Sequence, residues 1–284
     1  MTVHEHVAHA RERLRAAGIP NAEADLDARL LAEHVLGWDA TRYFTDGQEP
    51  APPSFPADFE SLVHRRAARE PVAYIVGRQE FWDLTFEVAP GVLIPRPESE
   101  LVVEAALEAF PDRDSSLQIA DVCTGSGCIA VALAVERPRA HVVAVDVSAD
   151  AVSIARANVA RHGVADRVAL RQADLLAGVE GPFDLVTANP PYVRACEKTM
   201  LQPEVVAHEP SVALFGGPDG LDVIGRLVPQ ASERLRPGGW LIFEFGFGQD
   251  EDIERLISTT PGLTIVQLRP DLQGIPRTAI ARRA

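Results

Sequence analysis

A chain of 284 residues, 46% apolar and 24% charged, has the make-up of a globular protein built from one large domain or from a large and a small one. Its formal net charge of −14 repels phosphate backbones and argues against non-specific nucleic-acid binding. Cys123, Cys128 and Cys196 show no C-x-x-C spacing, which excludes a disulfide framework or a cysteine zinc site, and no apolar run approaches the roughly 18 residues of a membrane span.

At the start of the sequence, "MTVHEHVAHARERLRAAG" lacks the apolar core of a secretion signal, so a cytoplasmic location is expected. His4, His6 and His9 offer no helical ligand pair, and no metal site is expected. Val7, Ala10, Leu14 and Ala17 share one face of a helix over residues 5 to 17, which Gly18 and Pro20 stop. Asn21 is expected to cap a second helix reaching Leu36, with Ala24, Ala28, Leu31 and Val35 in one stripe and Leu26 and Leu30 on the other side. "WDATRYFTDGQEPAPPSFP" reads as a proline-rich loop, and a third helix is expected from Ala57 to Arg69, ended by Pro71. Residues 1–75 therefore form a small helical bundle. Residues 76–97 make a connecting β-hairpin, and Pro90-Gly91 marks the expected turn in "EFWDLTFEVAPGVLIPRPESE".

From Glu98 the pattern changes to short apolar runs alternating with helices. "LQIADV", "HVVAVDV", "RVALRQAD", "FDLVTAN" and "GWLIFEFG" read as strands, with "LTIVQL" and "TAIARR" as a closing pair. Continuous apolar strands between amphipathic helices predict a doubly wound α/β domain over residues 98–284, Rossmann-like, with ligands at the carboxyl ends of its parallel strands.

Those strand ends carry the polar residues of interest. The first ends in "DVCTGSGC", Asp121 to Cys128, where Gly125 and Gly127 permit a tight turn and close approach of a ligand to the backbone. Gly125, Gly127 and Ala130 also satisfy G-x-G-x-x-[GA], so this loop alone leaves a nicotinamide cofactor open. Asp146 ends the next strand, where a carboxylate can accept both hydroxyls of a ribose. Asp174 follows the third strand beside Leu175, placed for an adenine edge and ring. After the fourth strand comes Asn189-Pro190-Pro191-Tyr192: an amide acceptor, a Pro190 carbonyl, two prolines of fixed φ and a flanking tyrosine ring. Such a loop can hold a substrate amide or amino group by its hydrogens for in-line attack on a methyl sulfonium.

The segments "NPPYV", "DVCTGSGCIAVALA" and "VVAVDVS" resemble class I S-adenosylmethionine-dependent methyltransferases acting on planar nitrogen, among which Asn-Pro-Pro-Tyr also occurs in DNA adenine-N6 enzymes. "EPVAYIVGRQEFWDLTFEVAPGVLIPRPESELVVE", "LQPEVVAHEPSVALFGGPDGLD" and "DLQGIPRTAIARR" resemble the PrmC/HemK family of peptide chain release factor glutamine N5-methyltransferases. The resemblance implies a class I methyltransferase fold and methylation of the glutamine in the Gly-Gly-Gln motif of class I release factors, with the helical domain helping to dock that protein. It implies S-adenosylmethionine bound by Asp121, Cys123, Thr124, Gly125, Ser126, Gly127, Asp146, Asp174, Leu175 and Asn189. Asn189, Pro190, Pro191 and Tyr192 would hold the glutamine, while Phe81, Trp82 and Arg96 either border the substrate entrance or pack between the domains. No direct nucleic-acid or membrane partner is expected. By the family pattern Cys123 stands where glycine is common and Leu175 where some members have tryptophan, while "VRACEKTM", Val193 to Met200, departs from that pattern just after the Asn-Pro-Pro-Tyr motif. The alternatives are a ribosomal-protein glutamine, an amide in a small metabolite, or DNA adenine.

Overall fold

The computed structural model describes residues 1–284. The chain divides into two compact units, Met1–Arg78 with Gln202–His208, and Gln79–Leu201 with Glu209–Ala284.

The first unit opens with α1 (Val3–Ala16), started by a capping box in which Thr2 Oγ1 accepts from Glu5 N at 3.2 Å and Glu5 Oε2 accepts from Thr2 N at 2.8 Å. In α2 (Asn21–Leu36) the cap position belongs to Pro20, not Asn21, because proline's fixed φ already sets the entry of the helix. The expected proline-rich loop contains α3 (Ala40–Asp46), capped by Asp39, whose side chain accepts from Arg42 N at 2.7 Å, and anchored by buried Tyr43. Its seven residues are too few for a periodic pattern to register. The third expected helix is α4 (Phe55–Ala67); it stops short of Arg69, whose φ of +73° is left-handed. A further short helix, α5 (Val72–Val76), follows Pro71. Val3, Leu14, Leu31, Phe55 and Val63 are among the buried side chains that join these helices in one core.

The hairpin consists of β1 (Arg78–Phe81) and β2 (Leu84–Glu87). Its turn is at Trp82-Asp83, with φ of +53° and +54°, and not at Pro90-Gly91. Two left-handed central residues match the twist of paired strands, and Trp82 is held there by tertiary bonds, N to Glu100 Oε1 at 2.8 Å and Nε1 to Glu136 Oε1 at 3.1 Å.

The remaining elements are α6 (Glu100–Ala109), β3 (Gln118–Val122), α7 (Cys128–Glu136), β4 (His141–Asp146), α8 (Ala149–Arg161), β5 (Val168–Gln172), β6 (Phe183–Ala188), α9 (Pro203–His208), α10 (Ser211–Leu214), α11 (Asp222–Arg234), β7 (Leu235–Glu244), α12 (Asp250–Thr259), β8 (Leu263–Pro270) and β9 (Pro276–Arg283). The seven strands stand in the order β5-β4-β3-β6-β7-β9-β8, parallel except for antiparallel β9. Helices α6 and α7 cover one face, with Val102, Val103 and Ile129 to Ala134 in its core. On the other face α11 and α12 bury Ile224, Leu227, Val228, Ile253 and Ile257. The chain order reverses beside β3, so β3 and β6 flank the crevice where such sheets bind ligands.

Helix α9 belongs to the helical unit, although the sequence places it within the span expected for the α/β domain. Buried Glu204 explains this: it accepts from Arg66 Nη1 at 2.9 Å and Arg69 Nη2 at 2.8 Å, while Arg66 Nε also reaches Asp27 at 2.6 Å. No helix is long and apolar enough to cross a membrane.

Candidate active site

The loop after β3 leaves the sheet through three left-handed residues, Cys123 (φ +58°), Gly125 (+55°) and Gly127 (+82°). A Cβ on Gly127 would stand 3.2 Å from that of Ala155, so this glycine sets the close packing of α7 on α8, whereas a Cβ on Gly125 would meet only open space. Asp121 lies beneath the loop with no exposed surface. It accepts from Thr124 Oγ1 at 2.6 Å and from Thr187 Oγ1 of β6 at 2.8 Å, and burial pushes its carboxyl up to about 6. It is therefore an internal brace and takes no part in the cavity lining, contrary to the expectation of a cofactor contact.

Asp146 ends β4 and does line the cavity. Its Oδ2 accepts from Gly125 N and its Oδ1 from Ser148 N, both at 2.9 Å. Burial raises this carboxyl while those backbone donors offset part of the effect. Each oxygen retains a lone pair for a ligand. Beyond β5, Leu175 is buried with φ +53°, and exposed Asp174 pairs with Arg226 of α11 at the rim. Burial drives the Cys123 thiol upward and lifts that of Cys128 to about 12, so both are inert apolar lining.

All six residues of β6 are buried, and the strand delivers Asn189 to the same cavity. Asn189 Nδ2 donates to Ser99 Oγ at 2.8 Å, Ser99 Oγ donates to Glu244 Oε2 at 2.5 Å, and Tyr192 Oη donates to Glu244 Oε1 at 2.7 Å. Gln249 Nε2 holds the Tyr192 carbonyl at 3.0 Å and its Oε1 accepts from Gly246 N at 2.7 Å. Asn189 and Pro191 line the cavity, but Pro190 and Tyr192 do not. The tyrosine is turned aside because its hydroxyl serves a buried carboxylate.

These strand ends enclose a cavity of about 310 Å³. Cys123, Thr124, Gly125, Ser126, Asp146, Asp174, Leu175, Asn189 and Arg96 all line it, and Gly127 does not. Arg96 is paired with buried Glu209, whose other oxygen accepts from Ile94 N at 3.2 Å. Phe81 is a core residue, 2% exposed and edge-on to Phe86 at 6.1 Å, and Trp82 is tied to Glu136, so of the two roles open to them in the sequence both serve packing, and neither lines the cavity. Apolar demand explains Phe81: a hairpin this short needs large side chains to dock on the sheet.

Sequence reasoning missed Ser99, Glu244, Gln249, Glu209 and Arg226. Only Glu244 left a signal, a lone acid within the apolar strand "WLIFEFG".

Two family models match the chain, the PrmC N-terminal domain over residues 5–77 and the methyltransferase small domain over residues 98–246. A release factor glutamine methyltransferase of Koribacter versatilis is 41% identical over 285 residues, covering 100% of this chain and 99% of that protein. One from Cereibacter sphaeroides is 44% identical over 271 residues, covering 95% and 94%. The chain belongs to the release factor glutamine methyltransferase family. Among solved structures, a methyltransferase from Pyrococcus furiosus shares the fold with TM-score 0.53 at 18% identity, covering 80% of this chain and 98% of that one. Membership of the release factor glutamine methyltransferase family decides against the nicotinamide reading that the glycine loop alone had left open.

Proposed function

We propose that this protein transfers a methyl group from S-adenosylmethionine to the side-chain amide nitrogen of the glutamine in the Gly-Gly-Gln motif of class I peptide chain release factors. The observation that carries the proposal is that Asn189 opens onto the same cavity as the glycine loop and Asp146. The lining suits that cofactor. A carboxylate with free lone pairs at Asp146 answers a ribose, Leu175 offers an apolar face to adenine, and Gly125 presents bare backbone at the turn. When bound, S-adenosylmethionine supplies an electrophilic methyl on a sulfonium.

The residues of the chain do the rest. Asn189 accepts a hydrogen from the substrate amide and fixes its nitrogen, and Pro191 stiffens the loop that carries it. Val92, Leu93, Val145, Leu175 and Val223 make much of the cavity lining apolar, a low-dielectric setting in which the hydrogen bonds to the amide strengthen. A planar amide is a poor nucleophile, and no general base faces Asn189; positioning carries the rate. The helical unit is assigned the docking of the protein substrate, in keeping with its match to the PrmC N-terminal domain.

The test is mass spectrometry of an unmethylated class I release factor incubated with the protein and S-adenosylmethionine. One methyl on the Gly-Gly-Gln glutamine is expected. Its absence, with cofactor binding shown separately, would redirect the search to other amides such as a ribosomal-protein glutamine.

A further inference from the structure

Glu244 is a carboxylate 1% exposed, set between Phe243 and Phe245, which are fully buried. Neither cofactor nor substrate has a use for it as a contact, since it does not line the cavity. A buried acid persists only where donors compensate its lost hydration, and here there are two, the hydroxyls of Ser99 and Tyr192. Burial raises this carboxyl, and the two hydroxyls work against that rise.

The donors run in one direction. An ionised carboxylate only accepts, so the single proton of Ser99 is committed to Glu244. Ser99 Oγ is then an acceptor toward Asn189, and it takes a hydrogen from Nδ2 at 2.8 Å. The amide oxygen of Asn189 is thereby the atom left for a ligand in the cavity. Bonds in series also polarise one another, which makes that oxygen a stronger acceptor as positive charge grows on a nitrogen under methylation.

We propose that Glu244 and Ser99 are positioning residues for methyl transfer, acting through Asn189: their hydrogen-bond chain fixes its amide with Oδ1 toward the reacting nitrogen and so selects a substrate that donates. This rests on the function proposed above. It extends to specificity, because a carboxylate in place of the substrate amide would set acceptor against acceptor.

The test is steady-state kinetics of the full chain with unmethylated release factor for wild type, Ser99→Ala, Ser99→Thr and Glu244→Gln, with cofactor affinity by calorimetry and thermal melting of each. Ser99→Ala should lower kcat about 100-fold with unchanged cofactor affinity, the scale of a misplaced reacting group. Ser99→Thr, which keeps the hydroxyl, should restore most of that rate, and Glu244→Gln should lose about tenfold. A wild-type kcat in Ser99→Ala overturns the proposal while leaving the function standing. So does a Ser99→Thr as slow as the alanine variant, since the hydroxyl would then be irrelevant. If Ser99→Ala fails to fold, the two near-isosteric variants decide by the same criterion. Wild-type protein that methylates no release factor removes the function, and the positioning role falls with it.

Discussion

The loops after β3 and β6 line one cavity but are held in opposite ways. The glycine loop is fixed from nearby, by Asp121 three residues before Thr124 and by backbone donors to Asp146. The Asn-Pro-Pro-Tyr loop is fixed from afar, through Ser99, Glu244 and Gln249, which lie 90, 52 and 57 residues from their respective partners Asn189, Tyr192 and Tyr192. The first loop takes most of its bonds from residues near it in sequence, with Thr187 of β6 as the distant brace on Asp121. The second borrows its conformation from other elements, so its rigidity depends on the whole sheet being assembled.

The sharpest way to break this contrast is to remove one side chain from each loop's business end. Asn189→Ala should cut kcat by about 1,000-fold or more while cofactor affinity holds, because the substrate amide loses its acceptor and its orientation together. Retained turnover would take Asn189 out of the site. Asp146→Ala should act on the other loop, weakening cofactor binding by about 10- to 100-fold, the worth of hydrogen bonds to a charged acceptor, and loosening Gly125 as well. Calorimetry showing wild-type affinity would dissociate Asp146 from the ribose.

A pH series sharpens the comparison further. The Asp121 carboxyl lies up at about 6 in the folded protein, above its unfolded value near 3.8. The folded state thus binds this proton more tightly, and the contribution is full below pH 3.8 and lost as pH climbs through about 6. Urea unfolding of wild type against Asp121→Asn should show this as a difference in pH slope worth on the order of 2–3 kcal/mol across that window. Parallel slopes would mean that the brace under the glycine loop does not titrate there. The smallest effect is expected at the rim. Asp174 and Arg226 form an exposed ion pair, so Arg226→Ala should change stability by less than about 1 kcal/mol, read from its melting curve.

The same contrast accounts for what the sequence revealed. Strands β3 to β7, the glycine turn, Asp146, Leu175 and Asn189 were readable because apolar runs, paired glycines and strand-end acids are local patterns. Cys123, in a left-handed conformation where a glycine was the family habit, is likewise marked in the sequence. Asp121 was misjudged because its neighbours in sequence do not show that Thr187 turns it inward. The Trp82-Asp83 turn was misjudged for a like reason, since Trp82 is held by Glu100 and Glu136 from elsewhere in the chain, while Phe81, whose role the sequence left open, packs in the core. Ser99 carries no local sign at all: a serine before a helix reads as a cap, and its role exists only once β7 brings Glu244 to it.

Strand β9, the last of the seven in sequence, lies between β7 and β8. Thr278 pairs with Glu244 itself. The strand that carries the buried carboxylate therefore keeps one open edge until the final segment threads in. During synthesis the glycine loop and its neighbouring strands have all their partners long before then, whereas the Asn-Pro-Pro-Tyr loop waits on residues 276–283. In this arrangement the strands flanking the glycine loop find their neighbours among residues 118–244, whereas the strand that carries Glu244 gains its second neighbour only with residues 276–283.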